Sequence, residues 1–71
     1  MTEREQKIMQ KLEELRRELE ERAERWRKRR DQAKTEWCIA YAEGVFRGCL
    51  DAAAELLDTI EEIQSTVLRE A

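Results

Sequence analysis

The sequence predicts an all-α protein, a hairpin of two long helices of the helix-turn-helix coiled-coil type that assembles into a homo-oligomeric helical bundle. Charged residues make up 44% of the 71-residue chain, and proline is absent. Glycine, the other common helix breaker, occurs only twice. Hydrophobic residues recur at steps of three and four, which keeps them on one face of a helix. This composition is typical of long helices and coiled coils.

The first predicted helix covers about residues 2–43. Thr2 precedes the apolar pattern, and its hydroxyl is suited to accept a hydrogen bond from a free amide of the first turn. Acidic residues precede basic ones by four positions, which adds about 0.2–0.5 kcal/mol per pair. These pairs are Glu3–Lys7, Glu13–Arg17, Glu18–Arg22 and Glu21–Arg25. The apolar positions are Ile8, Leu12, Leu15, Leu19, Ala23, Trp26, Ala33, Trp37 and Tyr41.

The two glycines predict a turn near residues 44–50. Gly44 is suited to end the first helix in the left-handed conformation, which costs glycine little. Asp51 is the first good capping residue after it, so the second helix is expected over about residues 51–69.

The alternative is a single helix that runs through both glycines. Any reversal of the chain then falls near Arg30–Asp31, where turn-forming residues are scarce. In this alternative a ladder of small side chains lets another helix pack closely. The ladder consists of Ala40, Gly44, Gly48 and Ala52.

A turn near residues 44–50 makes the arms unequal and predicts self-association. About the first 18 residues would lie beyond the end of the second helix, and an apolar stripe of that size is unstable when exposed. Residues 1–71 are therefore expected to form one domain that assembles with copies of itself, most simply as a two-fold dimer. The predicted oligomer interface consists of Ile8, Leu12, Leu15, Leu19, Ala23 and Trp26.

Charge is distributed unevenly along the chain. Residues 22–34 contain seven basic and two acidic residues, whereas residues 35–71 contain two basic and eight acidic residues. The simplest interpretation is that the basic segment pairs with the acidic stretch 51–62 across the hairpin. The functional interpretation is contact with an anion or a protein partner. The candidate residues for that contact are Arg22, Arg25, Arg29, Arg30, Lys34 and Arg47.

Three aromatic residues are candidates for contacting a planar ligand. They are Trp26, Trp37 and Tyr41, and Arg47 lies close enough in sequence to anchor an anionic group. Aromatic residues at this spacing more often form a helix-packing core. If a ligand binds, a pocket between chains is the expected place for it.

The composition argues against an enzyme. Histidine is absent, so the chain lacks the usual general base near neutral pH, and Cys38 and Cys49 have no histidine to activate them. Two thiols without histidine cannot complete a structural zinc site in one chain, so neither a metal nor a cofactor is expected. The N-terminus "MTEREQKIMQ" lacks a signal-peptide core, and no apolar run is long enough to cross a membrane. The protein is expected to be cytoplasmic, with two reduced thiols.

The sequence thus predicts a non-enzymatic protein-interaction module or inhibitor, such as a phage-type antagonist of a host protein. Two alternatives come from other classes. The chain could hold a small anionic or nucleotide ligand between subunits, or it could bind nucleic acid through residues 22–34. The net charge of −3 argues against nucleic acid as the main partner.

Overall fold

The computed structural model consists of two α-helices that form a hairpin. Helix α1 covers Glu3–Gln32 and helix α2 covers Glu36–Glu70. The structure describes the backbone of residues 2–70 and the side chains of residues 2–69. The hairpin measures 54 × 17 × 11 Å along its principal axes. The predicted all-α hairpin is therefore confirmed.

The chain reverses at residues 33–35, so the predicted turn near residues 44–50 is wrong. The predicted helix bounds of about 2–43 and 51–69 are wrong for the same reason. The alternative with a reversal near Arg30–Asp31 is closer to the structure. The observed turn gives arms of 30 and 35 residues, so α2 lies beside α1 along nearly its whole length. Apolar burial along matched arms outweighs the roughly 1 kcal/mol that each glycine costs within a helix.

Two local features make the turn. Ala33 leaves α1 in an extended conformation, with φ −70° and ψ 142°, and its N–H donates to the carbonyl of Arg30 at 3.2 Å. Thr35 caps α2, because its hydroxyl accepts a hydrogen bond from the N–H of Cys38 at 3.2 Å. Threonine caps helices well because its oxygen satisfies a free amide of the first turn. The reversal thus needs neither glycine nor proline.

Both glycines lie inside α2 and keep helical geometry. Neither has a positive φ angle, so the expectation that Gly44 ends a helix in the left-handed conformation is wrong. Asp51 also lies within α2 and caps nothing. A Cβ atom added at Gly44 or Gly48 would meet nothing within 4 Å. The ladder of Ala40, Gly44, Gly48 and Ala52 is exposed, so it makes no close helix contact within the chain.

The predicted cap of α1 is confirmed. The N–H of Glu5 donates to the hydroxyl of Thr2, and the N–H of Thr2 donates to Glu5 Oε1, both at 3.2 Å. This reciprocal arrangement is a capping box, which satisfies two amides at the helix start. The hydrogen bonds from Thr2 lower the pKa of Glu5.

A small core holds the two helices together. Most of the core residues are alanines, whose short side chains let the helix backbones approach each other. Ile60, which is 1% exposed, is the large side chain that is fully buried there. The buried residues are Met9 and Ala23 of α1 and Ala42, Ala53 and Ile60 of α2. Over the described residues, neither helix is long and apolar enough to cross a membrane.

The expected overhang at the start of α1 does not occur. Ile8 and Met9 line a groove with Ile63 and Val67, near the end of α2. Ala23, predicted to lie in an oligomer interface, is 1% exposed and belongs to the core within one chain. The overhang therefore gives no reason for self-association.

The other residues of the predicted oligomer interface form two groups, one half-buried and one exposed. Leu12, Leu19 and Trp26 are half-buried within the chain. Ile8 and Leu15 remain 52% and 46% exposed, so these two are still available to a second molecule.

Candidate interaction surface

The turn brings the three predicted aromatic residues together. Tyr41 lies at the centre, with its ring 5.6 Å from that of Trp26 in an edge-to-face arrangement. On its other side, the ring of Trp37 stacks at 5.6 Å with an angle of 11° between the planes. Trp37 and Tyr41 are 73% and 53% exposed. We call these three residues the aromatic ladder. It is an open surface beside the turn, and only Trp26 is half-buried.

Two arginines contact aromatic rings near the turn. The guanidinium carbon of Arg29 lies 4.6 Å from the ring centroid of Trp26, on the aromatic ladder. That of Arg30 lies 5.2 Å from the ring of Phe46, which is separate from the ladder. Both distances fit a cation–π interaction.

Glu43 joins α1 to α2 electrostatically. Arg30 donates from Nη1 to Glu43 Oε2 at 2.6 Å, and Arg47 donates from Nε to Glu43 Oε1 at 2.6 Å. The hydrogen bond from Arg30, followed by the one from Arg47, lowers the pKa of Glu43. The pKa of Arg30 is raised by Glu43 first and by Asp31 second. The two predicted contact residues Arg30 and Arg47 are thus already occupied within the chain.

The other predicted contact residues have no acidic partner. Among the side chains of residues 2–69, Arg22, Arg25, Arg29 and Lys34 form no ion pair, and Arg29 lies over the ring of Trp26. The expected pairing of the basic segment with the acidic stretch 51–62 is therefore wrong. With the turn at residues 33–35, the basic segment lies beside the first third of α2, so its partner there is Glu43. Both charged segments remain largely open to other molecules.

Arg16 is a structural residue that the sequence analysis missed. It donates to Glu13 Oε2 at 3.0 Å and to Glu20 Oε1 at 2.8 Å, and its side chain is only 20% exposed. Of the four predicted acid–base pairs, Glu3–Lys7 forms at 3.8 Å. The other three are not formed among the described side chains. Arg16 lies four residues after Leu12 and three before Leu19, and that helical spacing was the available signal for its partial burial.

A stripe of exposed aliphatic residues follows one edge of α2. They are separated by 11, 7 and 11 residues, a spacing that keeps them within about 20° of one another on a helix. Their exposure ranges from 38% to 76%. The stripe consists of Ile39, Leu50, Leu57 and Leu68.

Both cysteines are free thiols on α2. Cys38 is exposed and Cys49 is half-buried. Because the helix between them is unbroken, they lie about 16 Å apart, too far for a disulfide bond within the chain. In the described part of the chain, no three side chains of the types that bind metals come together.

Comparison with protein families, curated protein sequences and solved structures finds no match to this chain.

Proposed function

We propose that this protein is a non-enzymatic interaction module that associates with copies of itself and offers a charged helical surface to a protein partner. The observation that supports this is the amount of exposed apolar surface. Among the side chains of residues 2–69, nine large hydrophobic ones are 37–76% exposed, whereas only five residues are buried. Two helices enclose too little core to hide such side chains, and exposed apolar surface commonly marks a protein–protein contact.

The composition of the turn end also suits protein recognition. Tryptophan, tyrosine and arginine are the residues that most often dominate binding energy at interfaces. The aromatic ladder and Arg29 combine these three types within one patch. A module of this kind can inhibit a partner by covering its surface. An inhibitor of the phage type, directed at a host protein, and a cytoplasmic location stay predictions.

Light scattering coupled to size-exclusion chromatography tests the proposal. One chain has a mass of 8.5 kDa, so a dimer is expected at twice that mass at micromolar concentration. The mass should fall on dilution, because a non-covalent dimer dissociates when the protein concentration falls below its Kd. A folded 8.5-kDa species at 100 µM, with full helical circular dichroism, would contradict self-association.

The aromatic ladder supports a second candidate function, the binding of a small anionic or nucleotide ligand. The outer face of Trp37 is open, and Arg29 at the other end of the ladder forms no ion pair among the described residues. Stacking on an aromatic ring is a common way to hold a base, and a cation on the same surface can attract its phosphates.

Tryptophan fluorescence during titration with ADP separates this candidate from the first. Binding is expected to quench the fluorescence of the wild-type protein and to be lost in Trp37→Leu. The matched variant Leu68→Ala removes an exposed side chain far from the ladder and should bind as wild type does. Tighter binding of single-stranded DNA than of ADP at low salt would favour the nucleic-acid alternative, because phosphate contacts are strongest there. No quenching by either probe would reject this second function.

A further inference from the structure

Six charged residues of α1 form a symmetric pattern. Their spacing is the same when read from either end, and each acid corresponds to a base. Three glutamates come first and three arginines follow, separated by four, three, one, three and four positions. The pattern is centred between Glu21 and Arg22. It consists of Glu14, Glu18, Glu21, Arg22, Arg25 and Arg29, which we call the charge palindrome.

The charge palindrome occupies one face of α1. At 3.6 residues per turn, the six positions fall within an arc of about 100°. All six residues are exposed. The two buried residues of α1, Met9 and Ala23, lie on the opposite side of the helix, where α2 packs. The palindrome therefore faces away from the hairpin and is open to another molecule.

The chain itself satisfies little of this charge. Among the side chains of residues 2–69, Glu18, Glu21, Arg22 and Arg25 form no ion pair. Glu14 has a single contact with Lys11 at 3.4 Å, and both side chains are at least 60% exposed. Four of the six charged residues are thus unpaired among the described side chains, whereas Glu14 contacts Lys11 and Arg29 lies over the ring of Trp26.

We propose that the partner is a second copy of this chain, bound antiparallel along α1 with the two-fold axis between Glu21 and Arg22. In this register the numbers of two facing residues, one from each copy, add up to 43. Every acid of the palindrome therefore lies opposite a base. The two-fold axis repeats each contact, so a two-fold symmetric interface contains six ion pairs. The three types of pair are Glu21 with Arg22, Glu18 with Arg25 and Glu14 with Arg29 of the second copy.

Two further observations support this orientation. Leu15 is 46% exposed and lies at the edge of the same face. In the proposed register it is two residues away from the position opposite Trp26 of the second copy, so the contact also covers apolar surface.

The distribution of charge over the whole hairpin supports the same orientation. Residues 22–49 carry eight basic and four acidic residues, and the rest of the chain carries six basic and thirteen acidic residues. An antiparallel arrangement sets these halves against each other, whereas a parallel one opposes like charges.

This inference rests on the proposed self-association, and charge-exchange variants test it separately. One variant reverses the bases (Arg22→Glu, Arg25→Glu, Arg29→Glu) and the other reverses the acids (Glu14→Lys, Glu18→Lys, Glu21→Lys). Each alone opposes like charges at every contact, so its dimer Kd, measured by sedimentation equilibrium, should rise about 100-fold or more. An equimolar mixture restores complementary charges at all six contacts, so a heterodimer should form with near-wild-type affinity.

The matched control reverses three exposed acids on α2 instead (Asp51→Lys, Glu55→Lys, Glu62→Lys) and should leave the dimer Kd within a few fold of wild type. A six-fold variant that combines both sets of changes keeps the net charge of wild type and places every acid opposite a base, so it should dimerise, which guards against loss of folding in a three-fold variant. The inference is overturned if both three-fold variants stay dimeric or if their mixture stays monomeric. A monomeric wild-type protein would instead refute the self-association itself.

Discussion

Arg30 of α1 and Glu43 of α2 form the one ion pair that joins the two helices among the described side chains, with Nη1 and Oε2 2.6 Å apart. Arg30 lies three residues before the turn at residues 33–35, and Glu43 lies eight residues after it. The pair therefore holds the start of α2 against the end of α1, where the core contains no large side chain.

Glu43→Gln is expected to lower the Tm at pH 7, measured by circular dichroism. The folded-state pKa of Glu43 lies below its ordinary value of 4.5 because of Arg30 and then Arg47. The pair therefore stabilises the fold above about that pH, and the stabilisation is lost as pH falls through the lowered pKa. The Tm gap between wild type and variant should close in acid. As a control, Glu61→Gln changes an exposed acid that pairs with none of the basic side chains described, and it should show no gap at either pH. A gap that is the same at pH 7 and in strong acid would be evidence against this role of the ion pair.

Gly44→Ala is expected to raise the free energy of unfolding by about 0.5–1 kcal/mol, because alanine favours a helix and loses less entropy on folding. The position is helical, and an added Cβ meets nothing within 4 Å. Urea denaturation measures the change. A turn at this residue with positive φ would instead make alanine destabilising, so the sign of the effect reports where the chain reverses.

Thr35→Ala should destabilise the protein by about 1 kcal/mol, because the N–H of Cys38 loses the hydroxyl that caps α2. Thr59→Ala makes the same chemical change inside α2, where the hydroxyl donates only to the carbonyl of Glu55. Alanine is the better helix former there, so this control should be neutral or slightly stabilising. Equal effects at the two positions, in urea denaturation, would mean that Thr35 is not a cap.

Ile60→Ala should lower the free energy of unfolding by about 2–5 kcal/mol, because it removes the largest fully buried side chain. Leu68 is 76% exposed, and Leu68→Ala should change stability by less than about 0.5 kcal/mol. Chemical denaturation of both variants provides the comparison. A small cost at Ile60 would indicate that the two helices do not pack as described.

Local sequence signals predicted the parts of the fold that depend on neighbouring residues. The helical class, the Thr2 cap and one of the four predicted acid–base pairs, Glu3–Lys7, involve contacts about one turn of helix apart, and each is present. The position of the reversal was missed because two glycines gave a stronger local signal than Thr35. Glycine is only mildly unfavourable in a helix, so packing along the whole length of the arms can override it.

The candidate interaction surface could likewise be predicted only in part from the sequence. The aromatic residues Trp26, Trp37 and Tyr41 could be named from the sequence, but their mutual arrangement depends on the turn at residues 33–35. The pairing of Arg30 with Glu43, instead of with the acidic stretch 51–62, follows from the same turn. The exposure of Ile39 and Leu68 could not be derived from the sequence, because it depends on which edge of α2 faces α1.

The amino-acid sequence alone determined that this chain forms long, highly charged helices, because helix propensity, capping and the apolar repeat act over a few residues. Only the tertiary structure decided where the helices fold back, which residues form the core and which charges stay unpaired. Those outcomes depend on contacts between residues far apart in the chain, where the gain from aligning two arms of nearly equal length exceeds the small local cost of Gly44 and Gly48 within a helix.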